Sequence, residues 1–225
     1  MKIVIAGGHG KVALRLTRLL AGRGDSVVGI VRNPRHVEDI ERVGGEAVVL
    51  DLEDAAVDEV AATLVGADAV VFSAGSGSSA TSARRDKMDR GAVVLVMDAA
   101  EQAGVRRFLH VSSINVGCAD DSGIGDGYAT YLRAKHAAEQ HIFARDGLDW
   151  TVLRPGVLTD DHGDGTVELT AGDRVAPQGA RFDQVAREDV AAVLVALIDR
   201  PGTAGRIYVV VGGETPIDKA IDVYL

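Results

Sequence analysis

Lys2-Ile3-Val4-Ile5-Ala6-Gly7-Gly8-His9-Gly10-Lys11-Val12-Ala13 is the stretch whose reading decides the fold. Lys2 to Ala6 is a short apolar, β-branched run, the pattern of a strand buried on both faces. Beyond the glycines, Leu14, Leu16, Leu19 and Leu20 recur at roughly helical spacing. Strand, glycine turn and helix in that order form the context of a dinucleotide-binding loop. Gly7 allows the tight turn, Gly10 lets the backbone approach a pyrophosphate, and Ala13 is small enough for close helix–strand packing. Unpaired N–H groups and the positive end of the helix dipole would hold the diphosphate.

Alternating strands and helices continue from there, which predicts an α/β fold with a doubly wound parallel sheet. The second strand, Val27 to Val31, ends at Arg32. Dinucleotide folds that take NAD carry Asp or Glu near this point for the ribose 2′-hydroxyl. Here Arg32, with Asn33 beside it and Lys11 in the glycine loop, suits a 2′-phosphate, so NADP(H) is favoured over NAD(H). A helix from Pro34 to Gly44-Gly45 follows, then a strand Glu46 to Leu50 closed by Asp51-Leu52. Next come a helix Ala55 to Val65 and a strand Ala69 to Phe72. The loop Ser73-Ala74-Gly75-Ser76-Gly77-Ser78-Ser79 falls at the carboxyl ends of the strands, where its small side chains leave room for a ribose. Residues 86 to 103 read as a long helix, Arg107 to Val111 as the fifth strand, and Trp150 to Leu153 as the sixth. A helix from Arg187 to Asp199 and a strand from Arg206 to Val211 are expected in the less regular tail.

Composition sets limits on partners. Asp and Glu number 33 against 24 Lys and Arg, a formal net charge of -9, which argues against nucleic acid or an anionic membrane as partner. Apolar stretches such as Val190 to Ile198 are far too short to span a bilayer. No charged-then-apolar leader precedes the first strand, and the one cysteine, Cys118, cannot form an internal disulfide. A cytoplasmic monomer or homodimer with a small-molecule substrate is expected. Aromatic residues are only 4% of the chain, so Val, Leu, Ile and Ala must build the core.

Tyr131 and Lys135 are spaced i, i+4 on the helix after the fifth strand, about 40° apart around its axis. An ammonium beside a phenol lowers the phenol's pKa, which makes tyrosine usable as an acid or base toward a carbonyl or alcohol. Ser112-Ser113, at the carboxyl end of the fifth strand, can add a hydroxyl to the same oxygen.

Taken together, Ala6 to Ala13, Asp51-Leu52, His110-Val111-Ser112-Ser113, Tyr131-Leu132-Arg133-Ala134-Lys135 and Leu153-Arg154-Pro155-Gly156-Val157-Leu158-Thr159 resemble the short-chain dehydrogenase/reductase superfamily. The closest likeness is to its small atypical NAD(P)-binding members, related to the extended epimerase/dehydratase branch. Arg187-Glu188-Asp189-Val190-Ala191 resembles the start of that family's late helix. The resemblance implies a Rossmann sheet of about seven strands over residues 1–155, with 156–225 as a small C-terminal substrate lobe of a single domain. It also implies Tyr131 as catalytic acid/base, Lys135 on the nicotinamide ribose, and Ser113 as the assisting hydroxyl, with Ser112 as runner-up. Asp51 would lie near the adenine and Pro155-Gly156-Val157 near the nicotinamide. Residue pattern and resemblance together assign cofactor contact to Gly7, Gly8, His9, Gly10, Lys11, Val12, Arg32, Asn33, Asp51, Leu52, Ser73, Ala74, Gly75, Val111, Lys135, Pro155, Gly156 and Val157. The expected activity is NAD(P)(H)-dependent oxidoreduction of a small carbonyl or alcohol. The alternatives are an NADP-holding sensor without turnover and an epimerase or dehydratase.

Three features read as decoys. His136 and His141 are i, i+5, about 140° apart on a helix, whereas helical zinc pairs use i, i+4, so no metal site is expected. The acidic loop Asp160 to Gly165 lacks the register of a calcium loop. His110 and Cys118 read as structural.

Overall fold

The computed structural model describes residues 1–77, 80–121, 123–172 and 183–225. Ser78 and Ser79 of the serine–glycine loop, and part of the expected C-terminal lobe, lie outside these. Seven parallel strands form the body of the sheet: β1 (Lys2–Ala6), β2 (Ser26–Val31), β3 (Glu46–Val49), β4 (Ala69–Phe72), β5 (Arg107–Val111), β6 (Asp149–Pro155) and β10 (Arg206–Gly212). Their spatial order is β3-β2-β1-β4-β5-β6-β10. Two antiparallel strands, β8 (Thr166–Ala171) and β11 (Thr215–Pro216), extend the edge beyond β10, and β7 (Val157–Thr159) pairs with β9 (Gln184–Ala186) in a separate ribbon. The expected parallel sheet is therefore present, within nine strands rather than about seven. The sequence reading missed β8 because its alternation of Val167 and Leu169 with Thr166, Glu168 and Thr170 is short and follows the acidic loop. The tail also contributes strands to the main sheet.

Alternation along β1 shows why the sheet carries helices on both faces. Ile3 and Ile5 pack with Leu16 and Leu20 of α1 (Lys11–Gly22) and Val190, Leu194 and Leu197 of α7 (Arg187–Ile198). Val4 and Ala6 point the other way, to α3 (Val57–Leu64), α5 (Ala92–Gln102) and Ile142 of α6 (Asp126–Phe143). Each fully buried Ile, Leu or Val contributes about 1.5–3 kcal/mol relative to exposure, so the two faces together outweigh any single polar contact.

Two glycine positions are forced by geometry. Gly7 has φ +82°, and a Cβ there would meet Ala74 Cα at 2.6 Å. At Gly8 a Cβ would meet Gly29 Cα, also at 2.6 Å, so the glycine loop lies directly on β2. The helix expected over 86–103 begins earlier and is not uniform: α4 (Ser82–Arg85) leads into a π-helical turn, Asp86–Gly91, and then into α5. That turn carries Asp89 inward, fully buried. The helix expected from Pro34 is a 3-10 turn, Pro34–His36, followed by α2 (Val37–Arg42).

One buried ion pair fixes the helix bearing Tyr131. Arg154 on β6 donates from Nε to Glu139 Oε1 at 3.0 Å and from Nη2 to Oε2 at 2.5 Å, and Glu139 is fully buried one turn beyond Lys135. Removing one partner strands the other charge in the core. Glu139→Leu should therefore lose about 3–5 kcal/mol of stability in urea unfolding, whereas Glu139→Leu with Arg154→Met should recover most of it. A single substitution as benign as the double would show that the pair is not desolvated.

Candidate active site

The strand order reverses between β1 and its neighbours β4 and β2, and the crevice opens at the carboxyl ends there, where open α/β sheets bind ligands. Two cavities lie in it and share Gly10, Ser73, Ala74 and Gly75. The smaller, about 230 Å³, is walled by Gly7, His9, Arg32, Asp51 and Leu52. The larger, about 700 Å³, is walled by Lys11, Val12, Val111, Ser112, Tyr131 and Lys135. Residues far apart in sequence and expected at one site thus meet in one continuous crevice.

Between the cavities stands the start of α1. Gly10 caps it with extended backbone and no side-chain hydrogen bond, and Gly10 N donates to Gly7 O at 2.9 Å. The first N–H groups of a twelve-residue helix are thus left without a side-chain acceptor, which suits an anion. Ser112 lines the larger cavity, and its buried hydroxyl has no partner among the described residues. The free helix amides and the open crevice fit a bound dinucleotide.

Several expected residues stand elsewhere. Gly8 packs on Gly29, and the Asn33 side chain accepts from Arg35 N at 3.1 Å, capping the turn that follows. Ser113 is buried but does not line either cavity, whereas Ser112 does. Pro155, Gly156 and Val157 are absent from both walls, and Leu158 takes that place in the larger one. Gly156 instead lies under the 183 segment: its N donates to Val210 O, and a Cβ would meet Asp183 O at 2.3 Å. Sequence reading missed Arg84, Met88 and His36 on the smaller wall and Arg85, Tyr128 and Arg187 on the larger. The adjacent arginines after the serine–glycine loop were the one available signal.

Electrostatics correct the expected pairing of Tyr131 with Lys135. The Tyr131 phenol is held well above its ordinary range, chiefly because burial disfavours phenolate, with Asp89 and Tyr128 adding to the rise and Arg85 opposing it. Lys135 Nζ donates to Val111 O at 3.0 Å, and burial pushes its pKa down despite Asp89 and Glu139. Lys135 is not among the groups that shift Tyr131, and burial keeps the phenol protonated. Asp89 itself accepts from the Ser76 hydroxyl at 2.6 Å, fixing the loop that the two cavities share.

Arg32 and Arg84 of the smaller cavity's wall share one carboxylate: Glu53 Oε1 accepts from Arg32 Nη1 and from Arg84 Nη2, each at 3.0 Å. One carboxylate thus holds two guanidiniums together. His9 stacks on His36 with centroids 3.6 Å apart, and its Nε2 lies 2.9 Å from Asp39. The acidic loop is tied down by cations: Asp160 pairs with Lys11, Arg15 and Arg187, and His162 lies 2.9 Å from Glu188.

A sequence model of a family described as NAD(P)H-binding matches residues 7–201. The chain belongs to this NAD(P)H-binding family. It is 32% identical over 98% of its length, and 99% of the relative's, to a Bacillus subtilis protein named "Uncharacterized sugar epimerase YhfK". A Bacillus halodurans structure, provisionally named an NAD-dependent epimerase/dehydratase, superposes with a TM-score of 0.88 at 30% identity, covering 99% of both chains. The oxidoreductase ylbE from Lactococcus lactis superposes with a TM-score of 0.83 at 27% identity, covering 99% and 96%. Membership agrees with the expected atypical short-chain dehydrogenase/reductase. Among the described residues no helix is long and apolar enough to cross a membrane.

His110 gives a test that does not depend on cofactor. It is fully buried on β5 against Phe72, at 5.6 Å between rings, and neither ring nitrogen has a partner among the described residues. Burial and the Lys135 charge hold its pKa well below the ordinary value, so the folded state keeps it neutral. Below about pH 6.5 the unfolded chain binds a proton that the folded chain refuses. Stability from this group is complete above that pH and falls toward acid by about 1.4 kcal/mol per unit. His110→Leu should flatten the acid limb of the stability–pH curve by about that slope, measured by urea unfolding from pH 7.5 to 5. Parallel limbs would mean that His110 is protonated in the fold.

Proposed function

We propose that the protein is an NADP(H)-dependent oxidoreductase that reduces a small carbonyl compound, with Tyr131 as the proton donor. The observation that carries this reading is that Tyr131, Lys135 and Ser112, whose hydroxyl has no partner among the described residues, line one cavity wall. NADPH, when bound, supplies the hydride. Tyr131 gives its proton to the carbonyl oxygen as the new C–H bond forms, and recovers one from solvent afterwards. Ser112 donates a hydrogen bond to that oxygen, replacing Ser113 in the assisting role. Lys135, anchored by the Val111 carbonyl, holds the nicotinamide ribose and stabilises the phenolate that Tyr131 leaves behind. The amides at the start of α1 hold the pyrophosphate. Arg32 and Arg84, gathered by Glu53, supply the positive charge for a 2′-phosphate.

Tyr131→Phe should abolish NADPH consumption with a carbonyl panel while leaving NADPH affinity within a few fold. Undiminished turnover would remove Tyr131 as the donor. Arg32→Ala should weaken NADPH by about tenfold and leave NADH unchanged, with Arg32→Ala/Arg84→Ala losing more, by fluorescence titration. Equal losses for both cofactors would overturn the 2′-phosphate assignment. The epimerase name of the Bacillus subtilis relative favours a second reading, in which hydride leaves and returns within one catalytic cycle. Isomerised sugar without net NADPH consumption would establish it.

A further inference from the structure

Two histidines share the wall of the smaller cavity with Arg32. His9 belongs to the glycine loop, and His36 ends the 3-10 turn that follows β2. Their rings lie parallel, centroids 3.6 Å apart and planes within 10°. His9 Nε2 is 2.9 Å from Asp39 Oδ2, and Asp39 Oδ1 accepts from Arg42 Nη1 at 2.6 Å. Those bonds, from His9 first and Arg42 second, hold the Asp39 carboxyl below its ordinary range, as a carboxylate. A carboxylate only accepts hydrogen bonds, so the proton between the two groups sits on His9 Nε2. His9 is thereby tethered to α2. The ring nitrogens of His36 hydrogen-bond no described residue and are available to a ligand in the cavity.

The charges around His36 are mixed. His9 faces it from the glycine loop, Asp39 from α2 and Arg32 from the end of β2. On the same cavity wall stand Arg84 of α4 and Asp51 after β3, with Glu53 joining Arg32 to Arg84. Burial lowers the pKa of His36, His9 and Arg32 act in the same direction, and Asp39 opposes them. Without a ligand, His36 is therefore neutral near pH 7. Parallel imidazoles at this spacing repel each other when both are charged. His36 thus gains a proton only when an anion joins the wall and offsets that repulsion.

Building on the proposed 2′-phosphate site of Arg32 and Arg84, we infer that His36 is a further cofactor-specificity residue, which takes a proton from solvent as the 2′-phosphate enters the smaller cavity and donates a hydrogen bond to a phosphate oxygen. The preference for NADP(H) over NAD(H) is thus coupled to pH. A proton taken up on binding favours binding where protons are abundant, so the preference strengthens as pH falls toward neutral. The second ionisation of a phosphate monoester, at about pH 6, lies below that range and leaves the ligand a dianion within it.

The test uses the full chain with NADP+ and NAD+, which differ only in the 2′-phosphate. Each is titrated by calorimetry between about pH 6.5 and 8.5, in phosphate-free buffers of different ionisation heat, which reports the protons taken up on binding. At about pH 7.5, NADP+ should take up roughly half a proton or more per site beyond NAD+. The ratio of NADP+ to NAD+ affinity should fall by about tenfold across the range. A proton drawn in by the pyrophosphate is common to both cofactors and cancels in the comparison. His36→Phe keeps a ring to stack on His9 but has no titratable nitrogen, and should abolish the extra uptake and flatten the ratio. His36→Gln, which keeps a neutral donor, should do the same with a smaller loss of NADP+ affinity. Both variants should hold NAD+ affinity within a few fold. Equal proton uptake with the two cofactors, or an extra uptake that survives both variants, would overturn the inference. A preference for NADP+ that ignores pH but falls with Arg32→Ala would remove the role of His36 and leave the 2′-phosphate site standing. Equal binding of NADP+ and NAD+ at every pH would remove that site, and the inference with it.

Discussion

The close approach of Gly7 to Ala74, and of Gly8 to Gly29, sets the position of everything else in the crevice. With φ +82° at Gly7, the chain turns off β1 tightly enough to start α1 directly over the carboxyl ends of the strands. Any side chain at Gly7 or Gly8 would collide with backbone, so the loop would rise off the sheet and carry the α1 amides with it. The smaller cavity borders this turn through Gly7, and the larger begins at Gly10 and Lys11. A local backbone constraint thereby fixes the span between the two cavities.

At the wall of the larger cavity the dominant force on Tyr131 and Lys135 is desolvation. Lys135 and Tyr131 are neighbours on α6, and coulombic attraction alone would pull the phenol toward ionisation. Burial acts the other way on both groups, lowering the lysine and raising the tyrosine. The balance leaves a neutral phenol that is a weaker acid than a free one, on the same cavity wall as Ser112. The buried Glu139–Arg154 pair is costly to assemble in a core. Its place one turn beyond Lys135 ties α6 to β6 and keeps Tyr131 in register with the sheet.

Much of the fold was legible because it rests on period-two and near-3.6 patterns that the chain writes plainly. The alternation of Ile3 and Ile5 against Val4 and Ala6, and the leucines of α1, led to the parallel sheet with helices on both faces. The edge strands β8 and β11 were not legible, since their pairing with β10 is long-range and leaves only short, half-polar runs in the sequence. For the site, glycine spacing and the Tyr131–Lys135 pair pointed to the crevice. Arg84, Arg85 and Tyr128 were missed because they reach it only through the π turn and the packing of α4 on α6. Ser112 and Ser113 could not be separated on spacing, because which of them lines the cavity depends on how the chain leaves β5.

A crystal structure of the full chain with NADP+ tests the central claim most directly. The expected result places the pyrophosphate on the amides at the start of α1, the 2′-phosphate between Arg32 and Arg84, and the nicotinamide in the larger cavity with its C4 facing the space beside the Tyr131 and Ser112 hydroxyls. A nicotinamide lying outside that cavity, or a Tyr131 hydroxyl turned away from it, would contradict the assignment of Tyr131 as proton donor.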